Sequence, residues 1–117
     1  MVRAREAHIR ISVRNPSGQR TSVQAVIDTG FTGWLSLPPS LITTLGLPWM
    51  NRVRGLLADG SESFFDVYEA QVYWHRRWRV VRVAEADTTP FMGMALLDGS
   101  ELRIEARDHG KVSIKPL

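Results

Sequence analysis

Two segments near the N-terminus, HIRISVR (8–14) and TSVQAVI (21–27), place apolar side chains at every second position: Ile9, Ile11 and Val13, then Val23, Ala25 and Ile27. A period of two puts those residues on one face of a strand and the intervening His8, Arg10, Ser12 and Arg14 on the other, a pattern no helix can satisfy. Between them, Asn15-Pro16-Ser17-Gly18-Gln19 supplies turn chemistry, Pro16 presetting φ and Gly18 tolerating positive φ, so the two runs read as an antiparallel hairpin ending at Asp28.

Strand-like runs recur along the chain. RVRGLLA (52–58) and SFFDVYEAQVYW (63–74) flank Asp59-Gly60, a strong hairpin signal. His75-Arg76-Arg77 forms the next turn before WRVVRVAEA (78–86), and ELRIEA (101–106) and VSIKP (112–116) make a last hairpin around RDHGK. A short apolar strand, WLSL, precedes a helix begun by Pro39 and Ser40 and ended by Gly46, with Leu41, Ile42, Leu45 and Leu47 along one side. Regularly spaced short strands with glycine turns predict an all-β domain, a sandwich or a closed or open barrel carrying one or two short helices.

At 117 residues, with 44% hydrophobic and 23% charged residues, the composition predicts one globular domain over residues 1–117. The chain has no cysteine, which removes disulfides, thiolate metal sites and a cysteine nucleophile and suits a reducing compartment. No apolar run approaches the roughly 18 residues needed to span a bilayer, and the N-terminus lacks an apolar leader. The expectation is a cytoplasmic protein with no membrane partner. A net charge of +3, spread over scattered arginines, reads as a solvated surface rather than a nucleic-acid footprint.

One stretch departs from strand logic. VIDTGFTGWLSLP sets Asp28-Thr29-Gly30 between two apolar runs, Ala25-Val26-Ile27 before and Trp34-Leu35 with Leu37 after. The triplet alone reads as a turn, because Asp bonds its own backbone and Gly accepts unusual dihedrals. In a loop tied at both ends to core strands, however, a carboxylate is costly unless it is bonded or used.

Here the chain resembles the retropepsin-like aspartic proteases, in particular the small single-domain prokaryotic type, which often carry an aromatic residue after Asp-Thr-Gly, as Phe31 does. Their second signature, two apolar residues and a glycine before a short helix with a leucine pair, is matched by PFMGMALL, with Phe91, Met92, Gly93, Leu96 and Leu97. Their substrate-covering flap hairpin corresponds to about residues 52–72, with Ala58, Asp59 and Gly60 at its tip. The resemblance covers most of residues 8–116.

The resemblance implies an aspartic endopeptidase acting on peptide or protein substrates without metal or cofactor. Each chain supplies one Asp28, so a symmetric homodimer must bring two together on its two-fold axis. The two carboxylates share one proton, because two negative charges about 3 Å apart repel strongly. The ionised member draws a proton from a water molecule while the protonated one polarises the scissile carbonyl. Thr29 hydroxyls bond across the dimer beneath the dyad, Gly30 donates from its backbone to the carboxylate, and Gly93 supports the site. Phe31, Met92 and the flap residues Ala58, Asp59 and Gly60 contact substrate. Phe31 stands where retroviral members have a small residue, and the resemblance implies that it either narrows the site or reshapes the wall near the dyad. The alternative is a retropepsin-like domain without activity, serving as a dimerisation or peptide-binding module. The C-terminal hairpin reads either as part of the dimer interface or as an intramolecular completion of the core.

Other clusters carry bland readings. His8, His75 and His109 are far apart and lack the spacing of metal ligands, and no serine sits in a nucleophile elbow. YWHRRWRVVR reads as a turn with an exposed basic side and its aromatics packed inward, although interleaved aromatics and arginines can also stack on single-stranded nucleic acid. Asp59 with Glu62 reads as flap-tip solvation, and Asp98 and Asp108 as turn residues.

Overall fold

A computed structural model describes residues 1–56 and 59–117. In chain order its elements are β1 (Val2–Arg3), β2 (Glu6–Arg14), β3 (Arg20–Ile27), β4 (Leu35–Leu37), α1 (Pro39–Leu45), β5 (Trp49–Leu56), β6 (Glu62–Trp74), β7 (Arg77–Glu85), β8 (Phe91–Met92), α2 (Met94–Leu97), β9 (Ser100–Ile104) and β10 (Val112–Pro116).

The main sheet runs β1-β2-β3-β8-β4-β7-β6-β5, and an additional β2–β6 pairing through Val13↔Val72 and Arg14↔Gln71 closes it. Six strands, β2, β3, β8, β4, β7 and β6, therefore form a barrel, while β5 and the first half of β6 project beyond it as a hairpin. Closure removes edges that would otherwise offer unpaired backbone. The barrel is filled by Ile11, Val13, Val23, Ala25, Leu35, Leu37, Ala70, Val72, Val81, Val83 and Met92, with Ile42, Leu45 and Leu47 from α1 and its exit, and Leu96 and Leu97 from α2.

The first hairpin follows the alternation read from the sequence, with Ile9↔Ala25, Ile11↔Val23 and Val13↔Thr21 in register. Its turn is held by Asn15, whose side-chain oxygen accepts from the Gln19 N–H at 3.0 Å while its amide donates to the Leu45 carbonyl at 2.7 Å. That second bond ties the hairpin to the C-terminus of α1, where helical carbonyls lack partners. Gly46 ends the helix in the left-handed region at φ 62.

Two features differ from the sequence expectation. The first long strand begins at Glu6, and a further short strand, β1, pairs Val2↔Ala7 and Arg3↔Glu6 through a two-residue turn in which Ala4 and Arg5 both take positive φ. Of the three aromatics beside the β6–β7 turn, only Trp74 packs inward, whereas Tyr73 is exposed and meets Trp78 edge-on at 5.3 Å, with the Arg14 guanidinium 4.1 Å from the Trp78 ring centre. The expectation of aromatics packed inward is corrected for those two. Tyr73 and Trp78 are cross-strand partners, so they share a face, and it is the face opposite the buried Val72 and Trp74.

Candidate functional site

The loop carrying Asp28 owes its shape to strand order. β3 and β4 are consecutive in sequence but not neighbours: β8 lies between them, parallel to β3 (Val26↔Phe91, Ile27↔Met92) and antiparallel to β4 (Leu35↔Met92, Ser36↔Phe91). Residues 28–34 must therefore arch over the end of β8. The parallel ladder continues into the loop, since the Asp28 N–H donates to the Met92 carbonyl at 2.9 Å.

Within the arch, the Phe31 N–H donates to the Asp28 carbonyl at 3.1 Å, closing a β-turn, and the Gly30 N–H donates to Asp28 Oδ1 at 2.9 Å. The bond expected from Gly30 to the carboxylate is thus formed within one chain. From the other side, α2 begins with N–H groups that have no helical partner. Met94 donates to the Phe31 carbonyl at 2.8 Å and Ala95 to the Gly33 carbonyl at 3.1 Å, while the Gly93 N–H reaches the Trp34 carbonyl at 3.0 Å. The arch and the start of α2 satisfy each other.

This closeness dictates glycine at position 93. A Cβ there would lie 2.2 Å from the Gly33 carbonyl oxygen and 2.7 Å from that of Phe31. Gly33 is a residue the sequence reading missed. An added Cβ at that position would lie 2.6 Å from two atoms of the Phe31 ring, so the ring is folded back over both glycines. The only signal for it was the second glycine of Asp-Thr-Gly-Phe-Thr-Gly.

Asp28 is half-buried and Thr29 exposed, and both line an open concavity of about 1130 Å³. Apolar Val2, Ala7, Ile27, Phe91 and Ile104 form much of its lining, with Arg5, Glu6, Arg107 and Asp108 adding charge. The β1 strand and the loop after β9 stand together on this side, joined by Val2 N–H to the Gly110 carbonyl and His109 N–H to the Val2 carbonyl, each 2.9 Å. Neither Arg5 nor Arg107 stood out in the sequence, because their positions depend on how the two termini fold back.

The expected substrate-contacting residues fall in different places. Met92 is fully buried in the core, so its side chain is not on a substrate wall, and what it contributes to the site is its carbonyl. Phe31 covers the glycines and does not line the Asp28 concavity. Ala58 lies outside the described residues. Asp59 and Gly60 sit at the end of the β5–β6 hairpin and do not line the concavity within one chain. Asp59 Oδ1 accepts from both the backbone N–H of Ser61 at 2.9 Å and its hydroxyl, which holds the Asp59 carboxyl below the usual carboxylate range. Among the described residues, no three His, Cys, Asp or Glu side chains converge to hold a metal ion, and no helix is long and apolar enough to cross a membrane.

No family model and no curated protein matches the sequence. Among solved structures, the chain is similar to EIAV protease complexed with the inhibitor HBY-793, at 14% identity over 80% of this chain and 86% of that one, with a TM-score of 0.59. EIAV protease is a retropepsin. The closed sheet with two short helices and the arch of residues 28–34 over β8 therefore make up an all-β, retropepsin-like fold.

Proposed function

We propose that the protein is an aspartic endopeptidase that works as a symmetric homodimer, each chain contributing Asp28. The observation that carries this reading is the placement of Asp28: a carboxylate oriented by the Gly30 N–H, in a loop bonded to β8 and α2, and lining a wide concavity. Such bonding on several sides is what a positioned catalytic group needs.

In the dimer, two Asp28 carboxylates hold one proton and one water between them. The ionised carboxylate accepts a proton from the water as the oxygen attacks the peptide carbonyl, and the protonated one donates to the carbonyl oxygen. Collapse of the tetrahedral species expels the amine with a proton, and no acyl-enzyme forms. Thr29, exposed beside Asp28, bonds to its counterpart beneath the dyad, and the β5–β6 hairpin covers the substrate. The substrate is a peptide or protein, and no cofactor takes part.

The test is Asp28→Asn. The wild-type protein should cleave a diverse peptide library at mildly acidic pH, and the variant should lose about 10²–10⁴-fold in rate while keeping its mass in solution. A wild-type dimer inert from about pH 4 to 8 would overturn the reading and leave a non-catalytic peptide-binding or dimerisation module.

A further inference from the structure

Whether YWHRRWRVVR is a bland turn or a stacking surface depends on which way its aromatics face. Trp74 faces the core, but Tyr73, 49% exposed, and the partly exposed Trp78 stand side by side on the outside of the barrel. Arg76 in the turn and Arg77 at its exit are exposed close by.

This outer face continues across four strands. Arg20 on β3 pairs with Arg14 on β2, Arg14 with Gln71 on β6, and Gln71 with Val80 on β7, so the four side chains form one outward row. The Arg14 Nε–H donates to Gln71 Oε1 at 2.6 Å, which steadies its guanidinium over the Trp78 ring. Val80, 55% exposed, extends the apolar floor beside the rings. Arg10 lies further along β2 on the same side and donates to Ser22 Oγ at 3.3 Å.

Like charges directly opposed across a strand pair are unfavourable. Arg14 and Arg20 are so opposed, and among the described residues neither forms an ion pair with a carboxylate. The acids on the outer side of these strands within the barrel are Glu69, opposite Arg82, and Glu6, beside His8 at the other end of β2. An anion set between Arg14 and Arg20 replaces their repulsion with charge-assisted bonds to both. Beside that point Tyr73 offers an exposed ring, braced edge-on by Trp78.

We propose that this face binds single-stranded nucleic acid, with phosphates on Arg14 and Arg20 and a base stacked on Tyr73. A strand that alternates phosphates with unpaired planar bases uses both parts of the face. An acidic peptide would engage the arginines and leave the rings idle, and a duplex keeps its bases stacked inside itself. None of these residues lines the Asp28 concavity, so the binding face and the peptidase site are separate.

Fluorescence anisotropy with labelled oligo(U) and oligo(dT) of about 12 nucleotides tests this. The wild-type protein should bind at low salt, its log affinity falling by about 0.7 per phosphate contacted for each tenfold rise in salt. Either oligomer bound supports the proposal, and the ratio of the two affinities reports which sugar is preferred. Tyr73→Ala should weaken binding about tenfold and Tyr73→Phe should keep it, because the ring and not the hydroxyl does the stacking. Arg20→Ala should weaken binding and flatten the salt slope by about 0.7. Both positions are exposed, so the variants should keep the wild-type circular dichroism spectrum. Lys111→Ala, the same charge change off these strands, should bind as wild type. Absence of binding of either oligomer at about 100 µM protein would overturn the proposal. So would a Tyr73→Ala variant that binds as tightly as wild type, or a duplex or polyglutamate that competes as well as the single strand, since each would leave only a surface for polyanions in general.

Discussion

Gly93 passes so close beneath Gly33 that an added Cβ would lie 2.2 Å from the Gly33 carbonyl oxygen. Two segments 60 positions apart in sequence are thereby locked together, and the Asp28 loop takes its shape from the contact. Its neighbour Phe31 caps the crossing with its ring, 2.7 Å from the same hypothetical Cβ.

Gly93→Ala should therefore be costly. The methyl group meets backbone oxygens that belong to the arch and cannot rotate away, and overpacking of this kind costs about 3 kcal/mol. Urea unfolding should show the loss. A variant within 0.5 kcal/mol of wild type, the ordinary range for an unremarkable surface change, would mean that the arch yields easily (about that much being the noise of surface substitutions).

Phe31→Ala separates the ring's structural work from any contact with substrate. Removing a half-buried ring packed on two glycines should lower stability by about 2 kcal/mol. Because the ring does not line the Asp28 concavity, the peptide preference of the dimer should be unchanged. Altered preference at unchanged stability would place the ring on the substrate wall instead.

Asn15→Ala removes the bond that ties the first hairpin to α1 and the bond that holds the hairpin's own turn. The Leu45 carbonyl then loses its partner in a buried setting and the Gln19 N–H loses its own in a part-buried one, at a cost of about 2 kcal/mol. Asn15→Asp keeps an acceptor for the Gln19 N–H but sets a buried carboxylate oxygen against the Leu45 carbonyl, so in thermal melts at neutral pH it should be no more stable than the alanine variant and should gain stability as pH falls.

Asp66 offers a pH reporter on the β5–β6 hairpin. The Trp49 indole N–H donates to Asp66 Oδ1 at 3.0 Å and Arg52 lies 3.3 Å away, which together hold the carboxyl below the usual carboxylate range. A folded-state value below the unfolded one means the interaction stabilises at neutral pH and is lost as pH falls through the lowered value. The Trp49 indole proton resonance should titrate with a midpoint below that of an ordinary aspartate, and Asp66→Asn should abolish the step. A midpoint at or above the ordinary value would contradict the bond.

Several of these features were legible in the chain itself. The alternation in residues 8–14 and 21–27 predicted the first hairpin, Pro39 and Gly46 bracketed α1, and Asp28-Thr29-Gly30 with Phe91-Met92-Gly93 pointed to a retropepsin-like fold. Such signals are local: each depends on side-chain period, a turn residue or a short motif. Others were not legible. Met92 looked like a substrate contact and is a core residue, because β8 threads between β3 and β4 and buries it from both sides. Tyr73 and Trp78 looked like core aromatics and face outward, because the phase of the β6–β7 pairing places Val72 and Trp74 inside.

By itself, then, the sequence determined the strand alternation, the turns, the all-β class and the setting of the Asp28 carboxylate between two apolar runs, since those depend on residues a few positions apart. Only the tertiary structure decided that residues 28–34 arch over β8, that glycine is required at 93, and that β1 and the β9–β10 hairpin gather beside Asp28. Those outcomes depend on contacts between distant segments, whose strand order and closest approach are set by how the whole barrel closes.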